Sequence, residues 1–391
     1  MTTSDTGVVV AGGGPVGVLV AALLAADGID VVVLERRTEV PNRSRAIGVH
    51  PPSLEVLDRV DAARPLLDRA VRVRHGVARS RGRTLGTLSF DRVSRTHPFV
   101  AAVPQHVTES VLRDRLEALA PGALHRGWSV TGVTQDDTGV TVTATGPEGE
   151  TGRWRADHLV AADGARSAVR DLLGVPTTSR EYPDRYVMGD FADAGVVPGD
   201  TAVIDLGPFG VVESFPLPDR TRRFVAHTPR QDLDATGLAG VVAARTGMTP
   251  DPATCSMLSA FGTRRRFASG MVHGRVVLVG DAAHEISPIG GQGMNLGWLD
   301  AGAVAPVLRD AVRSGGTGRA RGSADVARAL ALVDRARMRS ARVAARQAEL
   351  NTAAGRPARG MSLGAREALF ATLLRSPASD VLARVYAMRF A

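Results

Sequence analysis

The stretch Val8-Val9-Val10-Ala11-Gly12-Gly13-Gly14-Pro15-Val16-Gly17 decides the fold. Its first four residues are an apolar run of the kind buried in a parallel strand. Gly12, Gly14 and Gly17 then fit the pattern G-x-G-x-x-G. Val16 to Ala26 is rich in Ala and Leu and predicts a helix, which Asp27-Gly28 stops. Ile29 to Leu34 reads as a second strand and ends at Glu35. Strand, glycine turn, helix, strand and an acid about 20 residues past the loop make a dinucleotide-binding βαβ unit. Glycines let the backbone approach a pyrophosphate, and the helix N-terminus favours its charge. Glu35 can accept from a ribose hydroxyl, and Arg36 either meets a phosphate or faces solvent. Gly12, Gly14, Pro15, Val16, Gly17, Glu35 and Arg36 are therefore candidate cofactor residues. The alternative is a glycine-rich turn in an unrelated α/β protein. This motif alone does not separate NAD from FAD.

Two later segments narrow the choice. His158 to Ala162 is strand-like and enters Asp163-Gly164-Ala165-Arg166-Ser167-Ala168-Val169-Arg170. Arg275 to Val279 is a second apolar strand, delivering Gly280-Asp281-Ala282-Ala283-His284 and then Pro288-Ile289-Gly290-Gly291-Gln292-Gly293-Met294-Asn295. In each, a strand presents an acid at its carboxyl end. Asp163 and Asp281 can accept from ribityl or ribose hydroxyls. Backbone N–H groups around Pro288, Gly291, Gly293, Met294 and Asn295, where a helix starts, can meet the electron-rich edge of an isoalloxazine ring.

At these residues, over roughly positions 5 to 310, the chain resembles the single-component FAD-dependent aromatic hydroxylases, the p-hydroxybenzoate hydroxylase-like family. It looks in particular like actinobacterial tailoring oxygenases of aromatic polyketides and related natural products. Arg45-Ala46-Ile47-Gly48 is similar to the segment where that family places an arginine on the flavin phosphates, and Gln105 resembles its cofactor-contacting glutamine. The resemblance implies bound FAD and NADPH or NADH as co-substrate, with the Asp163-Gly164 segment serving both. It also implies O2 captured by reduced flavin as a C4a-hydroperoxide, and an electron-rich ring as acceptor. The tyrosine pair that polarises phenol in the namesake enzyme has no counterpart by residue here. The chain's tyrosines are Tyr182, Tyr186 and Tyr386.

Composition excludes several other classes. The 391 residues suffice for about two domains with a substantial core. The 48 basic residues are all arginine, so Schiff-base chemistry on a lysine is excluded. Arginine and alanine enrichment suggests a GC-rich genome. The net charge of +8 does not imply nucleic-acid binding, because aromatics are 4% and do not interleave with the basic stretch Arg335 to Arg346. That stretch reads as the solvated face of an Ala/Arg-rich helix. Cys255 is the sole cysteine, a small buried residue by expectation, and its isolation fits a reducing cytoplasm. Val8 to Ala26 has no basic n-region, and its glycines explain it as a strand–helix turn, not a signal or membrane helix. There is no H-x-x-x-H, clustered Cys/His set or G-x-S-x-G turn, so no metal or serine-nucleophile site is expected.

The predicted fold is α/β: a discontinuous Rossmann-like FAD-binding domain (1–70, 101–176 and 269–330) and a mostly antiparallel β-sheet substrate domain (71–100 and 177–268). A C-terminal helical segment (331–391) follows, broken at Pro357-Ala358-Arg359-Gly360. The residues after Asp281 read mainly as helix, and no thioredoxin-like domain is expected among them. The assembly is expected to be a monomer or homodimer. The substrate should lie between flavin and sheet. His50, His106 and His227 are candidate catalytic residues, each with a structural histidine as the alternative. Phe209, Phe215, Phe224 and Met188 are candidate walls, with core packing as the alternative.

The expected activity is NAD(P)H- and O2-dependent hydroxylation of a polycyclic aromatic or phenolic natural-product intermediate. Close variants are Baeyer–Villiger oxidation, epoxidation or antibiotic inactivation. A second class is an FAD-dependent reductase without oxygen insertion, and a third is a flavin-binding sensor. A halogenase is disfavoured, because Trp128, Trp154 and Trp298 form no Trp-x-Trp pair and lysine is absent.

Overall fold

The computed structural model describes residues 3–39, 46–314 and 319–390. Arg45 lies outside the described residues.

Valine-rich runs build the first sheet. Thr3–Ala11 pairs in parallel with Thr151–Ala161 on one side and Val31–Glu35 on the other. Val276–Leu278 extends the sheet beyond the former, and Leu124–Arg126 beyond the latter. Early, middle and late segments of the chain thus meet in one sheet. Helix Pro15–Ala26 is apolar on every side and buries Gly17 through Leu24. It lies between the sheet and the helices Gln105–Leu119 and Gly293–Ser314, so it has no wet face to make polar. Val140–Thr145 pairs antiparallel with the start of Thr151–Ala161, and Ser129–Gln135 pairs antiparallel with Val140–Thr145.

The second sheet runs in the order His284–Glu285, Met257–Ala268, Thr177–Ala192, Thr221–His227, Gly210–Leu217, Thr201–Gly207, His75–Ser80, Arg83–Ser89. All its pairs are antiparallel except Thr201–Gly207 with His75–Ser80. Strand alternation gives it two apolar faces. Val187, Val203, Val212 and Ala226 pack under helix Ala235–Thr246. Met188, Ile204 and Val225 point the other way, towards the first sheet.

The stretch 71–100 divides between two sheets. Val71–Val73 and Val100–Ala102 join Gly48–Val49 in a three-stranded sheet, and the two strands between them complete the large one. Helices Arg319–Gly355, Gly360–Arg375 and Ala378–Tyr386 follow, with the expected break around Pro357. The arginine-rich face needs one correction. Arg335, Arg339, Arg342 and Arg346 are exposed, but Arg337 is buried and ion-paired. Cys255 is only partly buried and donates to the Met257 carbonyl, 3.3 Å.

Candidate active site

One cavity of 1890 Å3 lies between the two sheets. Its first end is built from the loops at the carboxyl ends of the parallel strands, where open α/β sheets bind ligands. Gly12, Gly14, Pro15 and Val16 line it, with Glu35 and Arg36 from the next strand end. Asp163, Asp281, Pro288, Gly291, Gly293 and Met294 complete that end, and Gln105 and His50 also face the cavity. The loop conformation requires its glycines. Gly12 has φ +108°, and a Cβ there would meet the Ala162 carbonyl. A Cβ on Gly17 would meet the Gly12 carbonyl oxygen, whereas one on Gly14 would meet no protein atom within 4 Å. Gly17 therefore packs the helix against the loop behind the cavity, and Gly14 opens to it.

Glu35 is buried, with Oε2 accepting from Gly13 N at 2.7 Å and Oε1 from Arg37 N and Nε at 2.9 Å. Burial alone would raise its pKa; the hydrogen bonds and charge of Arg37 outweigh that and lower it. It is thus an ionised acceptor at the strand end.

Asp163 accepts from Val169 N, 3.1 Å, through Oδ2, while Oδ1 is buried with no protein partner. Burial raises its pKa against the opposing bond from Ser167. Asp281 opens to the cavity although the fold walls it in. That enclosure first, and then nearby Glu285, push its pKa up to about 6. The two acid loops are tied together by Arg170, which donates to the carbonyls of Ala165 and Ala282, both at 3.2 Å. Two helices start at the cavity, Pro15–Ala26 and Gly293–Ser314. Trp298 Nε1 joins them through the Pro15 carbonyl, 3.0 Å.

Behind the Asp281 loop lies an ion cluster that the motifs do not announce. Asp300 accepts from Gly280 N at 3.0 Å, His284 Nε2 at 2.6 Å and Arg337 Nε at 2.8 Å, and all three side chains are buried. It fixes the backbone that presents Asp281.

The other expected residues are placed as follows. His50 is buried at the cavity wall with Nδ1 unpartnered. Burial lowers its pKa to about 4, so it is neutral near pH 7. His106 is exposed and off the cavity, on the first turn of its helix. His227 is also off it, held by Asp184 at 3.2 Å and edge-on to Tyr186, a structural setting. Asn295 does not line the cavity. Its amide accepts from His50 N and donates to the carbonyls of Gly48 and Gly291, at 2.8–2.9 Å, stapling the loop in place. Met188 and Phe215 are cavity walls, Phe224 packs on the opposite face of the sheet, and Phe209 is 55% exposed.

These features fit a flavin dinucleotide. An anion cradle at a helix start, an ionised acceptor at the second strand end, an orphaned carboxylate oxygen on Asp163 and a second helix start line one wall. Among the described residues no group of three metal-ligating side chains occurs, and no helix is long and apolar enough to cross a membrane.

Comparison with known proteins agrees with the geometry. The family model described as an FAD binding domain matches residues 5–328. The chain is 36% identical to 12-dehydrotetracycline 5-monooxygenase/anhydrotetracycline 6-monooxygenase of Streptomyces rimosus, over 75% of this chain and 60% of that one. It is 31% identical to para-nitrophenol 4-monooxygenase of a Pseudomonas species, over 81% of this chain and 80% of that one. The solved p-nitrophenol 4-monooxygenase of Pseudomonas putida superposes with TM-score 0.86 at 25% identity, covering 100% of this chain and 98% of that one. The anhydrotetracycline hydroxylase of Streptomyces rimosus gives 0.77 at 30% identity, covering 98% and 76%. The chain spans about three fifths of the length of the first curated relatives it matches. A dinucleotide cradle assembled from three distant segments, under one family model covering residues 5–328, makes this chain a member of the FAD-binding domain family.

Proposed function

We propose that the chain is an FAD-dependent monooxygenase that uses NAD(P)H and O2 to hydroxylate a polycyclic aromatic or phenolic natural product. The observation that carries this reading is the continuity of the cavity. Its dinucleotide end runs without a wall into an apolar chamber under the second sheet, lined by Met188, Ile204, Phe215 and Val225. A volume of 1890 Å3 exceeds the roughly 300–1,000 Å3 of a single small-molecule pocket and accommodates a flavin and an aromatic ligand together. The names of the relatives above support the same chemistry.

When bound, FAD supplies the redox chemistry, accepting hydride and, once reduced, activating O2. The chain's residues do the rest. The Gly12–Gly17 loop and its helix start would hold the pyrophosphate, Glu35 would accept from a ribose hydroxyl, and Arg45, outside the described residues, is the candidate for the phosphates. Asp163 and Asp281 would accept from the remaining hydroxyls. The N–H groups at the start of Gly293–Ser314 would meet the ring edge. Gln105 and the neutral His50 complete the wall, and Asn295 sets the loop they face. The apolar side chains of the sheet would disfavour water in the chamber. The low cysteine content supports a cytoplasmic location, and we expect a monomer or homodimer, which light scattering decides.

Aerobic turnover with NADPH under labelled dioxygen, across polycyclic phenols and quinones, is expected to give a product carrying one labelled oxygen. A product that gains only hydrogen moves the assignment to a flavin reductase. Asp281→Ala is expected to weaken FAD by about 10- to 100-fold, the scale of one hydrogen bond to a charged group. Flavin retention after gel filtration checks it, and an undiminished flavin content removes Asp281 from the cofactor site.

A further inference from the structure

The chamber face of the second sheet carries one row in register across six strands. Ala78 opposes Ile204, Ile204 opposes Glu213, Glu213 opposes Val225, Val225 opposes Met188, and Met188 opposes Ser259. All six line the cavity. Along its own strand Glu213 is flanked on the same face by Val211 and Phe215, which also line it. A carboxylate thus stands near the middle of an apolar wall. Its strand position is the ordinary cavity-facing one, so no packing requirement explains an acid there. The mechanism above does not use it.

We propose that Glu213 binds and deprotonates an acidic hydroxyl, phenolic or enolic, of the aromatic substrate. The assignment rests on the monooxygenase reading. The substrate O–H bond breaks, the proton forms a new O–H bond on a Glu213 carboxylate oxygen, and the electron pair stays on the substrate oxygen. That pair enriches the ring at the positions where electrophilic oxygen is delivered. The carboxylic acid returns its proton to the product oxygen or to cavity water.

The surroundings suit the step. Burial pushes the Glu213 carboxyl up to about 7, and no charged neighbour contributes to that shift. A base so poised has useful ionised fraction and proton affinity near neutrality. The charged groups around it are already committed. On the adjacent strand Arg223 grips Asp190 at 2.6 and 2.8 Å, and His227 meets Asp184, which also holds Arg356. On Thr201–Gly207 the facing residue is Ile204, and Asp205 alternates to the other face. Tyr186 on the next strand and Tyr386 on the last helix feel Glu213. Burial first and this carboxylate second push both phenols upward, Tyr386 to about 12, so both stay protonated. Asn351 and Phe370, from the helices closing the chamber, bring no charge. Glu213 is therefore the group of this wall that titrates near pH 7.

The test uses FAD-loaded protein with 1-naphthol and its methyl ether, 1-methoxynaphthalene, binding being read from the flavin's visible band. Wild-type protein is expected to prefer the phenol by about 10- to 100-fold, the range of a hydrogen bond to a charged acceptor. The preference should fall as the pH drops through about 7 and the carboxylate is neutralised. Glu213→Gln, whose amide oxygen is a neutral acceptor, should keep at most a small phenol preference that does not change with pH, and should hold its flavin. It should hydroxylate the phenol about 100-fold or more slowly, the scale of a lost general base. Glu213→Asp should recover part of the phenol preference. Wild-type protein that binds both probes alike, or neither, overturns the proposal, and so does a Glu213→Gln protein with unchanged preference and pH profile. The wild-type measurements need no variant to fold. A Glu213-dependent phenol preference without oxygen insertion would sink the monooxygenase reading and leave the binding role. Labelled oxygen inserted equally well by wild type and Glu213→Gln would do the reverse.

Discussion

Asp300→Ala is expected to lower the free energy of unfolding by about 3–5 kcal/mol, the cost of removing one partner from a buried charge cluster. The cost does not fall evenly. His284 can shed its proton once its counter-ion is gone. Arg337 cannot, and its guanidinium stays buried, keeping among the described residues a 3.4 Å contact to the Leu296 carbonyl. The Gly280 N–H also loses its acceptor, so the Asp281 loop should loosen and flavin retention fall alongside stability. Urea unfolding of the flavin-loaded protein measures the first effect, and flavin content after gel filtration the second. A double variant, Asp300→Leu with Arg337→Met, should recover part of the loss, because it leaves no orphan charge. If Asp300→Ala costs less than about 1 kcal/mol, the cluster is solvated in solution and the argument for it fails.

The same cluster sets a pH dependence of known sign. Burial alone would lower the His284 pKa, but the Asp300 carboxylate outweighs it and raises it above the ordinary 6.5. Burial alone would raise the Asp300 pKa, but His284 and then Arg337 hold it below the ordinary 3.8. The Asp300 contribution is complete above its unfolded value and is lost as pH falls through its depressed folded value. The His284 contribution is complete below its unfolded value and is lost as pH rises through its raised folded value. The stability gap between wild type and Asp300→Asn should therefore be widest between about pH 4 and 6.5 and narrow on either side.

That cluster also shows where sequence reading stops. The βαβ unit was legible because its signals are local: a valine run, three glycines at fixed spacing, an apolar helix and an acid at the next strand end. The place of Asp163 and Asp281 on the cavity wall was legible for the same reason, each closing a strand beside a glycine. Asp300 sits within a helix, and its partner Arg337 is 37 residues away among arginines that do face water. Nothing local separates Arg337 from its exposed neighbours. Asn295 reads as a cofactor contact because it follows the glycine loop, yet the folded chain uses its whole amide to bind backbone. His106 and His227 are likewise ordinary by position and lie away from the cavity, whereas His50 faces it. Glu213 has a faint signal, an acid at a cavity-facing position of a strand that otherwise buries Val211 and Leu217. Without the register of the neighbouring strands, that position cannot be told from a solvent-facing one.

Gly17→Ala and Gly14→Ala separate the two tasks of the glycine loop. The Gly17 Cβ would overlap the carbonyl oxygen of Gly12, a backbone atom with no flexible end to turn aside. Gly12 itself is tied to the sheet, its N–H donating to the Leu34 carbonyl at 2.8 Å. The helix Pro15–Ala26 must therefore lift from the loop, disturbing a helix buried from Gly17 to Leu24. Gly17→Ala is expected to cost about 3 kcal/mol or more of stability, at or above the usual range for overpacking. It should also purify without flavin, because the displaced helix start would no longer be placed for the proposed pyrophosphate contact. Gly14→Ala places its methyl where no protein atom lies within 4 Å, in the space the loop leaves towards the cavity. It should leave apoprotein stability within about 0.5 kcal/mol of wild type. If the pyrophosphate lies over this loop as proposed, FAD affinity should nonetheless fall by about 100-fold, because the methyl would take up space beside it, a change of about 2.7 kcal/mol. Unfolding of the apoproteins and fluorescence titration with FAD distinguish these outcomes. A Gly14→Ala protein with wild-type affinity would mean that the pyrophosphate does not pass over this loop. The dinucleotide would then have to enter the cavity in some other pose.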